Sequence, residues 1–390
     1  MLSPIIIGIA SLKTNADSWV QKPNFGGIGR EAAAGFSIGT KGYIGTGVNV
    51  STYYNDFWEY DQANNTWTQK ADFVGSLRWG ATGFSIGLKG YLGTGSNGST
   101  LYNDFWEYDP ISNTWTQKAN FGGTARNFAV GFSIGAKGYI GTGRDVGYKN
   151  DFWEYDTAAN AWTQKANFAG PVREFATGFS IGAKGYIGTG YGLTHYNDFW
   201  EYDQGTDTWT QKANFPGGVR KGLTGFSIGT KGYMGLGADF LYLYNDFWQY
   251  DPGSNTWHSK ATFPGHLRGM ATDFSIVAKG YIGTGADTSG YRNDFWEYTP
   301  DSIPTGVEEL NLVNLINFYP NPLTSSSTLQ LDAQVKNAEV VIYNMVGKEM
   351  IRRKLIGSRM TIEKGSLESG AYFVSVKSGA RQWVEKIVVE

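Results

Sequence analysis

Apolar residues recur along this chain in short runs of four to nine positions, each bounded by Gly, Asn or Asp. GFSIG is followed by KGYIGTG, then NDFWEYD, then NTWTQKANF. Runs of this length, rich in Tyr, Trp, Phe and Ile and punctuated by turn residues, predict strands. The order then restarts. Asn-Asp-Phe-Trp begins at Asn55, Asn103, Asn150, Asn197, Asn245 and Asn293. Lys-Gly-Tyr recurs with its Tyr at 43, 91, 139, 186, 233 and 281. A second Trp follows at Trp67, Trp115, Trp162, Trp209 and Trp257. Its sixth copy is displaced to Trp19, near the start of the chain.

Four short antiparallel strands in each repeat of about 47 residues describe a propeller blade. The fold expected is all-β: six blades over residues 17–299, with a small β-sandwich after them. The sixth repeat stops at Trp296-Glu297-Tyr298 without its fourth strand. The segment around Trp19 is expected to supply it, joining the two ends of the ring and covering an open sheet edge.

The unit resembles a Kelch repeat. In the first copy the matching residues are Arg30, Tyr43 with Gly45-Thr46-Gly47, Asn55-Asp56-Phe57, Tyr60-Asp61, Asn65 and Trp67. Kelch units usually carry Gly-Gly where this chain has Gly-Thr-Gly. The resemblance implies the fold and leaves function open, because propellers of that kind include binders and enzymes.

Composition changes after Tyr298. Five of the 54 glycines lie in the last 82 residues. Residues 300–308 form a polar linker, and short runs alternating apolar and polar residues follow through 309–390, the pattern of a small sandwich. Tyr319-Pro320-Asn321-Pro322, Val341-Ile342-Tyr343-Asn344 with Gly347-Lys348, Gly370 with Tyr372, and Lys386-Ile387-Val388 stand in order. They resemble the type A C-terminal sorting domain of the type IX secretion system of Bacteroidota. That resemblance implies export through the outer membrane and the secretion machinery as a partner. The product would be secreted or attached to the outer-membrane surface. Residues 1–16, MLSPIIIGIASLKTNA, read as the accompanying signal peptide. No Lys or Arg precedes its apolar core, which fits a truncated start.

A formal net charge of -2 gives no sign of bulk electrostatic capture of nucleic acid. No run is long enough for a transmembrane helix. Cysteine is absent, which excludes disulfides, thiolate nucleophiles and the Tyr–Cys cross-link of radical copper oxidases. The three histidines are too scattered for a zinc motif. No cofactor or metal is expected, and the chain is expected to be a monomer.

In a blade, the second-to-third and fourth-to-first loops open on one face. Here those loops vary between copies, while the hairpins of the other face are nearly constant. A constant scaffold with one variable rim is how a binding face is built. Arg30, Arg78, Arg126, Arg173, Arg220 and Arg268 stand before the inner strand. They are expected either to ring the channel mouth, suited to grip carboxylates, or to bond within the blade. The next position varies: Glu31, Trp79, Asn127, Glu174, Lys221 and Gly269. Tyr53, Tyr191, His195, Phe240 and Tyr242 add rings on the loops. Asp273 replaces a Gly found in the other five inner strands. Asp56 and its equivalents are expected to hold the turn into the third strand by accepting backbone N–H groups. Trp58 and Tyr60 are expected to fill space between blades.

The role expected is recognition of a glycan or protein by the variable rim. The rival is a sugar-processing enzyme resembling the six-bladed sialic-acid mutarotases. That reading needs an acid, Glu31 or Glu174, beside a ring arginine.

Overall fold

The computed structural model describes residues 16–301, 316–331, 338–344, 348–378 and 381–390. The signal peptide, apart from Ala16, lies outside them, as do Gly347 and most of the linker. The chain divides into two compact units, Met1–Ile303 and Pro304–Glu390.

Six four-stranded antiparallel sheets make the first unit. Blade 1 runs Ala34–Ile38, Lys41–Gly45, Phe57–Asp61 and Thr66–Gln69 from the channel outwards. The inner strands of blades 2 to 6 are Thr82–Ile86, Val130–Ile134, Thr177–Ile181, Thr224–Ile228 and Thr272–Ile276. Each inner strand packs against the next, and the sixth against the first. The ring is closed.

The repeated residues explain that closure. In each inner strand Phe and Ile are buried, and the Phe ring projects into the following blade. It lands on the glycine of Lys-Gly-Tyr. A Cβ at Gly90 would stand 2.3 Å from the Phe36 ring, and one at Gly42 would stand 2.1 Å from the Phe274 ring. No side chain fits there, so the glycine is a socket for the neighbouring ring. The core is accordingly six clusters between blades. One of them joins Tyr60, Phe295 and Tyr281 across the seam between blades 6 and 1, with Trp58 packed against it. Tyr60 is fully buried, and its ring lies 4.9 Å from that of Phe295. Edge-to-face aromatic pairs of this kind add about 1 kcal/mol each beyond area burial.

Blade 6 takes its outer strand, Ser18–Lys22, from the N-terminal end, pairing Trp19 with Tyr298. The substitution is complete in detail. In blade 2, Asn113 accepts from Tyr108 Oη and from the Ala71 N–H of blade 1, while Trp115 Nε1 donates to the Ala71 carbonyl. In blade 6, Asp17 accepts from Tyr298 Oη and the Ala261 N–H, while Trp19 Nε1 donates to the Ala261 carbonyl.

In the second unit, strands Ile316–Tyr319, Ser326–Leu331 and Arg359–Glu363 form one sheet. Glu349–Leu355, Ala338–Asn344, Gly370–Ser378 and Arg381–Val389 form another, in that order. Leu329 and Ile362 of the first pack with Val340, Val374 and Ile387 of the second in one core, as a sandwich requires. The Tyr319–Pro320 and Asn321–Pro322 bonds are cis. Asn321 Oδ1 accepts the Val388 N–H, Tyr372 Oη donates to the Glu368 carbonyl, and the Lys348 N–H donates to Asn344.

The Asp17–Trp19 clasp should contribute measurably to stability. Trp19→Ala is expected to cost about 2–3 kcal/mol and Asp17→Ala about 1–2 kcal/mol in urea melts. A chain of residues 26–299 should melt far below one of 17–299. Equal melting temperatures would sink the clasp.

Candidate functional site

The six arginines lie at the base of the variable rim, and all six are at most 1% exposed. Each guanidinium forks onto the Asp of its own blade's Asn-Asp-Phe-Trp. Arg78 donates to both Asp104 oxygens, at 2.6 and 2.7 Å, to the Thr94 carbonyl at 2.7 Å and to the Ser76 carbonyl at 2.9 Å. Phe73 and Tyr102 flank it, 4.7 and 4.3 Å from ring centroid to guanidinium carbon. Arg30, Arg126, Arg173 and Arg268 repeat the pattern on Asp56, Asp151, Asp198 and Asp294. Arg220 reaches Asp246 and turns its Nη2 to the Gly217 carbonyl.

This decides between the two readings of the arginines in favour of bonding within the blade, and corrects the expectation for the aspartates. The arginines are internal cross-links whose guanidinium donors bond inside the blade, save Arg220 Nε, which is buried without a partner among the described residues. Asp56 and its equivalents bind side chains and leave the turn's N–H groups to others. Asp56 accepts from Arg30 and from Trp58 Nε1.

The residue after each arginine joins the two variable loops. Glu31 pairs by backbone with Val48, Trp79 with Ser96, Asn127 with Arg144, Glu174 with Tyr191, Lys221 with Ala238 and Gly269 with Ala286. Both loops therefore do open on one rim.

One position further on, Ala32, Gly80, Phe128, Phe175, Gly222 and Met270 all adopt positive φ. Their backbones form a cycle. The Gly80 N–H donates to Ala32, Phe128 to Gly80, Phe175 to Phe128, Gly222 to Phe175, Met270 to Gly222 and Ala32 to Met270, at 2.9–3.3 Å. These six residues encircle the mouth of an axial cavity of about 190 Å³. They share a conformation but no residue type, so repetition in the sequence did not mark them.

Above the cycle the rim is lopsided. Trp79 meets Phe128 edge-on at 4.9 Å, and Phe128 stacks on Phe175 at 3.8 Å. Tyr53 stands 6.5 Å from Trp79. The Lys221 ammonium is 5.2 Å from the Phe175 ring and 5.1 Å from Tyr191. His195 lies 5.0 Å from Tyr191 and 4.1 Å from Phe240. Tyr148, not singled out in the sequence, meets Tyr191 at 5.7 Å. Blades 1 to 5 thus carry an arc of two ring chains bridged by the Lys221 ammonium. Glu31, Gly269 and the exposed Tyr242 stand outside it.

The polar groups in the arc are unusually dry. Glu174 is 4% exposed, and burial raises its pKa despite Arg144 at 3.5 Å. Burial, then the Lys221 charge, lowers the pKa of His195. Both His195 ring nitrogens and Trp79 Nε1 are buried with no hydrogen-bond partner among the described residues. Burial likewise raises the pKa of Glu31. Neither acid meets a ring arginine, the pairing that the enzyme reading needs. No group of three metal-ligating side chains occurs among the described residues.

Residues 317–390 match the family described as the secretion system C-terminal sorting domain. The C-terminal unit is therefore a type IX sorting domain, which implies that secretion machinery as partner and delivery to the medium or the cell surface. Among solved structures, "Structure of YjhT" aligns with a TM-score of 0.60 at 17% identity, covering 72% of this chain and 95% of that one. At that identity the likeness shows the fold alone, a β-propeller. No curated protein matches the chain. No helix among the described residues is long and apolar enough to cross a membrane.

Two outcomes follow from these assignments. Asp104→Ala strands a buried guanidinium and should cost about 3 kcal/mol in a urea melt, whereas Lys221→Ala on the rim should cost less than about 1 kcal/mol. Deleting residues 309–390 should hold the propeller in the periplasm, as fractionation would show. Normal surface delivery would contradict the sorting assignment.

Proposed function

We propose that the exported propeller is a non-enzymatic recognition module that binds a glycan or a protein through its variable rim. The observation that carries this reading is the aromatic arc with Lys221, Glu174 and His195 set among its rings. Six-fold repetition accounts for the blades but not for the arc, whose residues differ from copy to copy. Ring faces offer apolar platforms for sugars or for a partner's side chains. The unpartnered imidazole and indole N–H add hydrogen-bonding capacity that a ligand can use. Phe240, 70% exposed, stands over His195 as a cover that a ligand can displace.

Two features oppose the sugar-enzyme alternative. Every ring arginine is bound to its own aspartate. Glu174 pairs instead with Arg144, on a variable loop. The pairing of Glu31 or Glu174 with a repeated arginine, on which that alternative rests, is therefore not made among the described residues.

A glycan array and a surface-protein capture with the purified full chain test the reading. Trp79→Ala, Lys221→Ala and Phe240→Ala should each weaken binding about tenfold or more at unchanged melting temperature. Binding that survives all three, or that responds to changes in the constant hairpins of the opposite face, would overturn it.

A further inference from the structure

The axial cavity carries a charge that its own repeat does not call for. Its wall is built from the inner strands, which read Ala-Gly, Thr-Gly, Val-Gly, Thr-Gly, Thr-Gly and, in blade 6, Thr272-Asp273. Among the described residues no other titratable side chain lines it. The Asp273 carboxylate accepts one hydrogen bond, from the Gly225 N–H at 3.1 Å. No ion pair to it occurs among the described residues. Burial pushes its pKa up to about 7, only partly offset by that bond.

A half-buried carboxylate with one hydrogen bond and no ion pair among the described residues is costly to keep ionised, and a cheaper residue is at hand, since five blades do without it. Such a group, in a concave site, points to a ligand. The rest of the wall narrows the choice. Phe128 and Phe175 line the same cavity from blades 3 and 4, across the ring from blade 6. Ring faces and a carboxylate share one preference, for positive charge. Lys221 already takes up the field of Phe175, whereas no cation stands over Phe128 among the described residues. A bare divalent ion would want six or more oxygen ligands, and the wall has a single carboxylate. A cavity of about 190 Å³ falls below the roughly 300 Å³ at which drug-sized pockets begin and suits the end of an alkyl chain.

We propose that the channel mouth binds an alkylammonium group, with the Asp273 carboxylate as counter-ion and the Phe128 ring as its cation–π wall. The ammonium belongs either to a free amine or to a lysine side chain of a partner. Phe128 also belongs to the arc, but Asp273 does not, so the Asp273 variants test this proposal apart from rim recognition.

The experiment titrates the full chain with n-butylammonium chloride and with a lysine tripeptide blocked at both ends. Butan-1-ol and sodium chloride serve as controls, and the amide resonances of Gly225 and Thr272 are followed by NMR. Both ammonium probes should shift them saturably at pH 8. Proton competition at a group titrating near 7 should weaken binding about thirtyfold at pH 5.5. The better probe identifies the source: the peptide if the ligand is a partner's lysine, butylammonium if it is a free amine. Asp273→Gly and Asp273→Asn should each lose at least about tenfold in affinity.

Stability separates this role from a structural one. A raised folded-state pKa means that the ionised carboxylate destabilises. The penalty is absent below about pH 4 and complete above about pH 7. Asp273→Gly, which restores the repeat, should therefore melt above the parent at pH 8 and level with it at pH 4. The proposal falls if Asp273→Gly melts lower at pH 8, if it binds butylammonium as well as the parent, if butan-1-ol binds equally, or if neither ammonium probe shifts the amides at tens of millimolar.

Discussion

A guanidinium held out of water is the interaction on which the propeller depends. Burying one costs several kcal/mol unless every donor is met. Here Asp, a second-strand carbonyl and a loop carbonyl meet it, with one ring on its flank in every blade and a second in blades 1, 2, 4 and 5. The bonds of Arg78 tie the fourth-to-first loop to the end of the second strand and to the entry of the third. Its own carbonyl accepts the Gly47 N–H of the preceding blade, and the other five arginines do the same in turn, ending with Gly285 onto Arg30. One residue type thus sets the shape of each blade and joins it to its neighbour. The loops rest on that floor, so they vary without loosening the ring.

Much of this was legible because closure demands repetition. A socket that only glycine fits, and a ring that fills it, must recur in every blade, so Lys-Gly-Tyr and the inner-strand Phe announce the fold. The clasp was legible for the same reason: Trp19 is a copy out of place. The roles of Arg30 and Asp56 were harder to read. An Arg before a strand looks alike whether its head faces a channel or a carboxylate 26 residues on, and only the packed blade brings Asp56 beneath it. The mouth residues were hidden for a further reason. Positive φ usually asks for Gly. Here four of the six are Ala, Phe, Phe and Met, held left-handed by the backbone cycle rather than by local preference.

The aromatic arc was legible only as scattered parts. Trp79, Tyr191, His195, Phe240 and Lys221 were each visible as departures from the repeat, but their contacts cross between blades. Tyr148 escaped notice until its ring was found against Tyr191. A linear sequence gives no measure of which variable loops lean towards each other.

Departures from a repeat fall into two kinds, and chemistry tells them apart. In five blades the second-strand Tyr hydroxyl donates to a third-strand Glu, as Tyr91 does to Glu107 at 2.6 Å. Blade 5 has Gln249 there, and the bond is kept with its direction reversed, from Gln249 Nε2 to Tyr233 Oη at 2.7 Å. Asp17 replaces Asn in the clasp and keeps both of its contacts. Those edits are balanced within the fold, so they need no ligand to explain them. Asp273, His195 and Trp79 are not balanced. Asp273 lacks an ion pair among the described residues, His195 and Trp79 hold buried ring nitrogens without a partner there, and all three sit at the channel or on the rim around it. A scaffold copied six times can absorb a neutral edit anywhere. The unbalanced ones gather on one face, where a bound molecule would supply the missing partner.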